Sequence, residues 1–273
     1  MKGHDSAESA VVLTVDRLAK SFGGVKAVRD VSFAVSAGEI VAMIGPNGAG
    51  KTTCFNLVNG QLAPDGGNVM LLGRRIDGLP PRTIARAGVG RTFQIAATFA
   101  SMTVRENVQM ALIAHAGEQR SIGSRATDLY VDEADTLLGR VGMTAVADQG
   151  CATLAYGDAK RIELALALAN APKLLLMDEP TAGMSTRARN RLMQLAADLA
   201  RRDRISVLFT EHDMDIVFGH ADRIIVLDRG VAIAEGTHAS LVRDDPLYRR
   251  LAALQFGLDL GQDSAKPSQV LQR

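Results

Sequence analysis

The stretch Ile40-Val-Ala-Met-Ile44-Gly45-Pro-Asn-Gly-Ala-Gly-Lys51-Thr52-Thr53 decides how the rest of the chain is read. Five apolar residues run into a glycine-rich turn, and Gly45, Gly50, Lys51 and Thr52 fill every fixed position of the pattern G-x-x-x-x-G-K-[ST]. Residues 40–44 read as a buried strand and 51–59 as a helix, which is the setting the pattern requires. Gly48 and Gly50 let the backbone approach an anion with no Cβ in the way. Successive N–H groups and the helix N-terminus then face phosphate oxygens. Lys51 brings a cation to the β- and γ-phosphates, and the Thr52 hydroxyl is placed to ligate Mg²⁺.

Further along, Leu174-Leu-Leu-Met177-Asp178-Glu179 reads as a second buried strand that ends in two carboxylates. Desolvated carboxylates cost several kcal/mol unless they are paired or bind metal, so this ending calls for a chemical role. Asp178 is the candidate Mg²⁺ partner, through water. Glu179 is the candidate for polarising the water that attacks a γ-phosphate.

Around these two motifs, residues 11–18, 31–35, 68–72, 205–210, 223–227 and 231–234 read as strands. Residues 103–115, 125–141, 161–170 and 186–202 read as helices. The alternation predicts an α/β fold with a largely parallel sheet. Residues 96–160, poor in β-branched clusters, read as a helical insertion. Residues 1–10 and 258–273 are polar and read as a flexible N-terminus and a disordered tail.

Composition narrows the function classes. The chain has 273 residues, with Lys+Arg 31 against Asp+Glu 30 and a formal net charge of +1. That balance gives no electrostatic case for nucleic acid. Two cysteines, Cys54 and Cys151, are too few for a disulfide framework. Cys54 reads as a small packing residue on the helix after the loop, where a thiol reagent that reached it would inhibit. No apolar run reaches the roughly 18 residues of a membrane span.

The remaining motifs go further. Leu154-Ala-Tyr-Gly-Asp158 precedes a helix shortly before the acidic strand, and resembles the LSGGQ signature of ABC-type ATPases. Gln94, in Arg91-Thr-Phe-Gln94, resembles their Q-loop. His212, in Thr210-Glu-His212, resembles their switch histidine, and Phe22, in Ser21-Phe-Gly-Gly, their adenine-stacking aromatic residue. The resemblance runs from about residue 11 to 245. Within that superfamily, 22–28, 90–94, 182–184 and 210–214 look like the ATP-binding subunits of branched-chain amino acid importers. Two departures stand out: Ala155 replaces the signature serine, with Asp158 in place of the usual glutamine, and Ser185 stands where an aspartate is common.

The resemblance implies a RecA-like phosphate-loop core with an inserted helical subdomain and an antiparallel β segment, spanning 11–257. It implies ATP and Mg²⁺ as cofactors. Phe22, Gly45, Pro46, Asn47, Gly48, Ala49, Gly50, Lys51, Thr52, Thr53 and Gln94 then bind ATP. Thr52, Gln94 and Asp178 serve the metal, and Glu179, His212 and Lys51 the hydrolysis. Leu154, Ala155, Tyr156, Gly157 and Asp158 act in trans on the nucleotide of a second ATPase subunit. The implied partners are membrane permease subunits and, indirectly, a periplasmic binding protein, which puts the chain at the cytoplasmic face of the inner membrane as a peripheral subunit. A lipopolysaccharide-type export ATPase and a soluble ABC ATPase without a membrane partner fit the same motifs.

Overall fold

The computed structural model describes residues 10–92, 98–117, 128–246 and 248–249. Residues 1–9 of the expected flexible segment 1–10, the tail 258–273 and Gln94 lie outside the described residues. The chain opens with β1 (Val11–Phe22) and β2 (Val25–Ser36), followed by β3 (Ile40–Ile44) and α1 (Lys51–Val58). Next come β4 (Gly66–Leu71), β5 (Arg74–Arg75), α2 (Pro81–Arg86) and β6 (Val89–Thr92). Two helices, α3 (Val104–Ala116) and α4 (Val131–Arg140), precede α5 (Tyr156–Leu168). The last part runs β7 (Leu174–Asp178), α6 (Thr186–Asp203), β8 (Ser206–Thr210), α7 (Met214–His220), β9 (Arg223–Asp228), β10 (Val231–Gly236) and α8 (His238–Asp244).

Two sheets result. The six-stranded sheet has the order β10-β9-β3-β8-β7-β6 and is parallel except for β10 at one edge. The four-stranded antiparallel sheet has the order β2-β1-β4-β5. Strand β3 shows why an unbroken apolar run was needed. Ile40, Ala42 and Ile44 face a core shared with the helices on one side. Val41 and Met43 face a second core, filled from α1 and the antiparallel sheet. A strand covered on both faces has no polar position to alternate with.

The middle of the chain is helical, as its composition suggests. Helix α3 starts on a reciprocal cap: Thr103 Oγ1 accepts from the Glu106 N–H at 3.2 Å, and Glu106 accepts from the Thr103 N–H at 2.7 Å. Its Val104 and Val108 pack with Leu137 and Leu138 of α4 and with Ile162 of α5. The signature helix begins at Tyr156 rather than at residue 161. Among the described residues, no helix is long and apolar enough to cross a membrane.

Candidate functional site

The C-terminal ends of the parallel strands define one edge of the molecule, and the predicted loops gather there. Strand β3 leads into 45–50, β7 ends at Asp178, and β8 ends at Thr210 with His212 two residues on. Register fixes their level: Thr210 pairs with Met43 on one side and with Asp178 on the other. Ligands of open parallel sheets bind at this edge, where neighbouring connections leave in opposite directions.

The glycine loop owes its shape to packing as well as to its ligand. Gly45 has φ 150°, and a Cβ there would lie 2.1 Å from the Leu227 carbonyl oxygen. Gly50 has φ 103°, and its Cβ would meet the Ala27 carbonyl at 2.5 Å. Gly50 is therefore fixed by the chain behind the loop. Gly48, with φ 80° and open space around it, is free on the ligand side. Lys51 is buried, and its Nζ donates to the carbonyls of Gly45 at 2.7 Å and Pro46 at 3.3 Å. Burial lowers the pKa of this ammonium, against the opposing pull of the Glu179 and Asp178 carboxylates. The lysine thus sits between the loop and the acidic strand end.

Phe22, Ala27, the loop residues 47–53 and Glu179 line a cleft of about 300 Å³. Phe22 is 47% exposed at its rim, an aromatic face open to a ligand. Across the cleft, Glu179 Oε1 lies 2.8 Å from His212 Nε2. Glu179 has φ 47°, a left-handed conformation that costs a side-chain-bearing residue roughly 1–3 kcal/mol and persists only where the surroundings hold it. Its N–H donates to the Thr210 carbonyl at 3.2 Å and to Thr210 Oγ1 at 2.9 Å. The same hydroxyl donates to Asp178 Oδ1 at 2.7 Å. The other Asp178 oxygen lies 3.6 Å from the Arg91 guanidinium, which also donates to Asn56 and Gln61.

Sequence reasoning overlooked several of these groups. In the sequence Arg91 stands out only as a neighbour of Gln94, and Thr210 as a flank of His212. Glu211 was passed over, yet it is buried, and burial raises its carboxyl pKa against the bonds it accepts from Thr181 and His212. A carboxylate next to a candidate active-site histidine, at the end of an apolar strand, was the available signal.

The signature residues lie elsewhere. Ala155, Tyr156, Gly157 and Asp158 line a separate cleft of about 340 Å³ with Gly183, Met184, Ser185 and the first turn of α6. None of the residues lining it lines the cleft of the glycine loop. Ala155 supplies no side-chain cap; the Asp158 N–H turns back to the Ala155 carbonyl at 2.9 Å, and the Tyr156 and Gly157 N–H groups ahead of it have no partner among the described residues. Asp158 is held by Arg161 at 3.3 Å.

A parallel sheet with a glycine loop on an inner strand and a carboxylate pair on another strand end defines a phosphate-loop nucleoside triphosphatase. Comparison with known proteins narrows this. The family profile described as ABC transporter matches residues 28–182. The LivG protein of Salmonella typhimurium, a high-affinity branched-chain amino acid transport ATP-binding protein, is 40% identical over 247 residues, 87% of this chain and 96% of its own. BraF of Pseudomonas aeruginosa, of the same description, is 38% identical over 87% of this chain and 96% of its own. The lipopolysaccharide export ATP-binding protein LptB of Haemophilus influenzae is 34% identical over 90% of this chain and 99% of its own. The crystal structure of an ABC transporter cassette in its ADP conformation superposes with a TM-score of 0.79 at 29% identity, covering 89% of this chain and 98% of that one. The chain belongs to the ABC transporter ATP-binding family and is an ATPase of that family.

Proposed function

We propose that this chain powers a membrane importer of branched-chain amino acids or similar small amides and acids, working as one of a pair of ATPase subunits docked on permease subunits at the cytoplasmic membrane face. The observation that carries the chemistry is the convergence of the glycine loop, Phe22 and Glu179 on one cleft, with His212 hydrogen-bonded to Glu179. The higher identity to LivG and BraF than to LptB favours import over lipopolysaccharide export. A periplasmic binding protein would deliver the cargo.

Phe22 stacks on the adenine, and the loop N–H groups from Gly45 to Thr53 hold the phosphates. Lys51 turns from its own loop carbonyls to the β- and γ-phosphate oxygens. The Thr52 hydroxyl, the Asp178 carboxylate and Gln94 would hold Mg²⁺. The ion supplies charge neutralisation at the phosphates. Glu179 accepts the proton of the attacking water, and His212 holds Glu179 and the γ-phosphate in line. The signature residues 154–158 meet the γ-phosphate bound by the partner subunit. ATP binding closes the pair, hydrolysis reopens it, and the permease follows.

Glu179→Gln tests the reading. The amide keeps the shape and loses the charge, so turnover is expected to fall about 10²–10⁴-fold while ATP still binds. An ATP-bound dimer should accumulate on size-exclusion chromatography. Unchanged turnover would move the base elsewhere. Uptake of radiolabelled leucine into vesicles holding the permease complex tests the cargo.

A further inference from the structure

The loop that carries Glu179 does not hold its shape alone. Beyond Pro180 it reaches Thr181, which is buried. The Thr181 N–H donates to Glu211 Oε1 at 2.9 Å, and the Thr181 hydroxyl donates to the same oxygen at 2.7 Å. The other carboxylate oxygen of Glu211 accepts from the His212 N–H at 3.3 Å. Glu211 is only 5% exposed. A single buried carboxylate thus joins the loop after β7 to the loop after β8, one residue from His212 and two residues beyond Glu179.

We infer that Glu211 is a positioning residue for hydrolysis: its carboxylate clamps Thr181 and so holds Glu179 and His212 against each other at the edge of the nucleotide cleft. The inference rests on the assignment of Glu179 and His212 to hydrolysis. Glu179 occupies a left-handed backbone conformation. Such a conformation survives only where bonds on both sides over-determine it. On one side, Thr210 takes the Glu179 N–H. On the other, the Glu179 carbonyl accepts from the Ala182 N–H at 3.2 Å, closing a turn whose interior residues are Pro180 and Thr181. Without Glu211 the turn keeps the bonds from Glu179 to Thr210 but loses its second anchor, at Thr181, and Glu179 can relax to an ordinary conformation and leave His212. Every contact Glu211 makes here is as an acceptor, so an acceptor of the same length is what the position demands.

The same turn continues to Gly183, Met184 and Ser185, which line the signature cleft. The Met184 N–H donates to the Thr181 carbonyl at 3.1 Å. Thr181 is therefore hydrogen-bonded both to the residue beside His212 and to the wall of the second cleft. A shift at either cleft is felt at this clamp.

The test compares Glu211→Ala, Glu211→Gln and Glu179→Gln in the full chain, measuring turnover, equilibrium ATP binding and melting temperature. Glu211→Ala should lower kcat roughly 10- to 100-fold, the scale of a misplaced reacting group. ATP affinity should stay within about twofold of wild type, because the glycine loop is not touched. Glu211→Gln, which keeps an acceptor for both Thr181 donors, should recover most of the lost turnover. Wild-type kcat in Glu211→Ala, or parallel loss of turnover and ATP affinity, would overturn the clamp. So would a Gln variant as slow as the Ala variant. Glu179→Gln separates the two readings. If it hydrolyses ATP normally, the assignment of the base fails first. If it is inactive while Glu211→Ala is not, the clamp alone fails.

Discussion

At the scale of single residues, chemistry here depends on how each group is shielded. Cys54 shows the point, because it lies on α1 beside the glycine loop and is 1% exposed. Burial pushes its thiol up to about 12, so almost no thiolate forms near neutral pH. The native protein should therefore resist iodoacetamide at Cys54 at pH 8 and become labelled only as it unfolds. Mass spectrometry with and without denaturant reads this directly, and labelling of the native state at a free-thiol rate would contradict it. That burial agrees with the sequence-based reading of Cys54 as a small packing residue. Other residues were legible because chemistry restricts them: a lysine after glycine, or two carboxylates after four apolar residues, has few structural uses. Glu211, Thr181 and Arg91 were not legible in the same way. Their roles arise from bonds between segments 30 or more residues apart in sequence, and beyond the place of Glu211 beside His212 a linear pattern carries no trace of such pairing.

At the scale of elements, burial decided what could be read. Strands covered on both faces, β3, β7 and β8, were found at nearly their true bounds because they are unbroken apolar runs. Strand β1 runs to Phe22, beyond the expected end at residue 18, because its second half is polar and irregular: Arg17 has φ 47° and the register shifts between Val15 and Leu18. Helices α2, α7 and α8, of 6 or 7 residues, are too short to show a period and were missed. The two sheets are tied together at a point with its own pH signature. Glu39, just before β3, accepts from Arg223 of β9 at 2.6 and 2.9 Å and from the Ser36 N–H of β2 at 2.8 Å. Arg223 also donates to the Ala34 carbonyl and pairs with Glu235. Burial alone would raise the Glu39 pKa, but the bonds from Arg223 and Ser36 outweigh it and hold the carboxyl below its ordinary 4.5. A carboxyl with a depressed folded pKa contributes stability that is complete above the unfolded value and lost as pH falls through the folded one. Glu39→Gln should therefore cost about 2 kcal/mol near pH 7. The gap in melting temperature between mutant and wild type should narrow as pH drops below about 4.5. A gap that stayed constant down to pH 3 would remove the linkage.

At the scale of the whole molecule, the two clefts set a problem that one chain cannot solve. The glycine loop and the signature residues line different cavities, and no residue is common to both. The signature nevertheless ends in the uncapped first turn of α5, whose positive dipole end suits an anion. Solved relatives of this family include a dimeric bacterial ABC transporter cassette, with a TM-score of 0.70 at 25% identity over 82% of this chain and 98% of that one. In the proposed function each signature serves the nucleotide of the other subunit. Gly157→Asp isolates this, because the substitution is tolerable in its own chain. An added Cβ at Gly157 would meet Ala188 Cβ at 3.5 Å and Met184 Cε at 3.6 Å, ordinary contact distances. The fold should survive, and the new carboxylate should stand where a phosphate has to approach. ATP affinity of the isolated chain is expected to stay at the wild-type value, since the glycine loop, Phe22 and Glu179 are far from the change along the sequence and share no cavity with it. Closure of the pair brings like charges together, so turnover in the assembled transporter should fall at least tenfold, the effect of about 1.4 kcal/mol of repulsion. If the two ATPase subunits differ, the loss should appear at the site built on the partner's glycine loop. Equilibrium binding on the monomer and turnover in the reconstituted complex decide the matter. Loss of both together would place the signature in its own chain's nucleotide site, whereas loss of turnover alone, confined to the site built on the partner's glycine loop, is the outcome expected if it acts across the dimer.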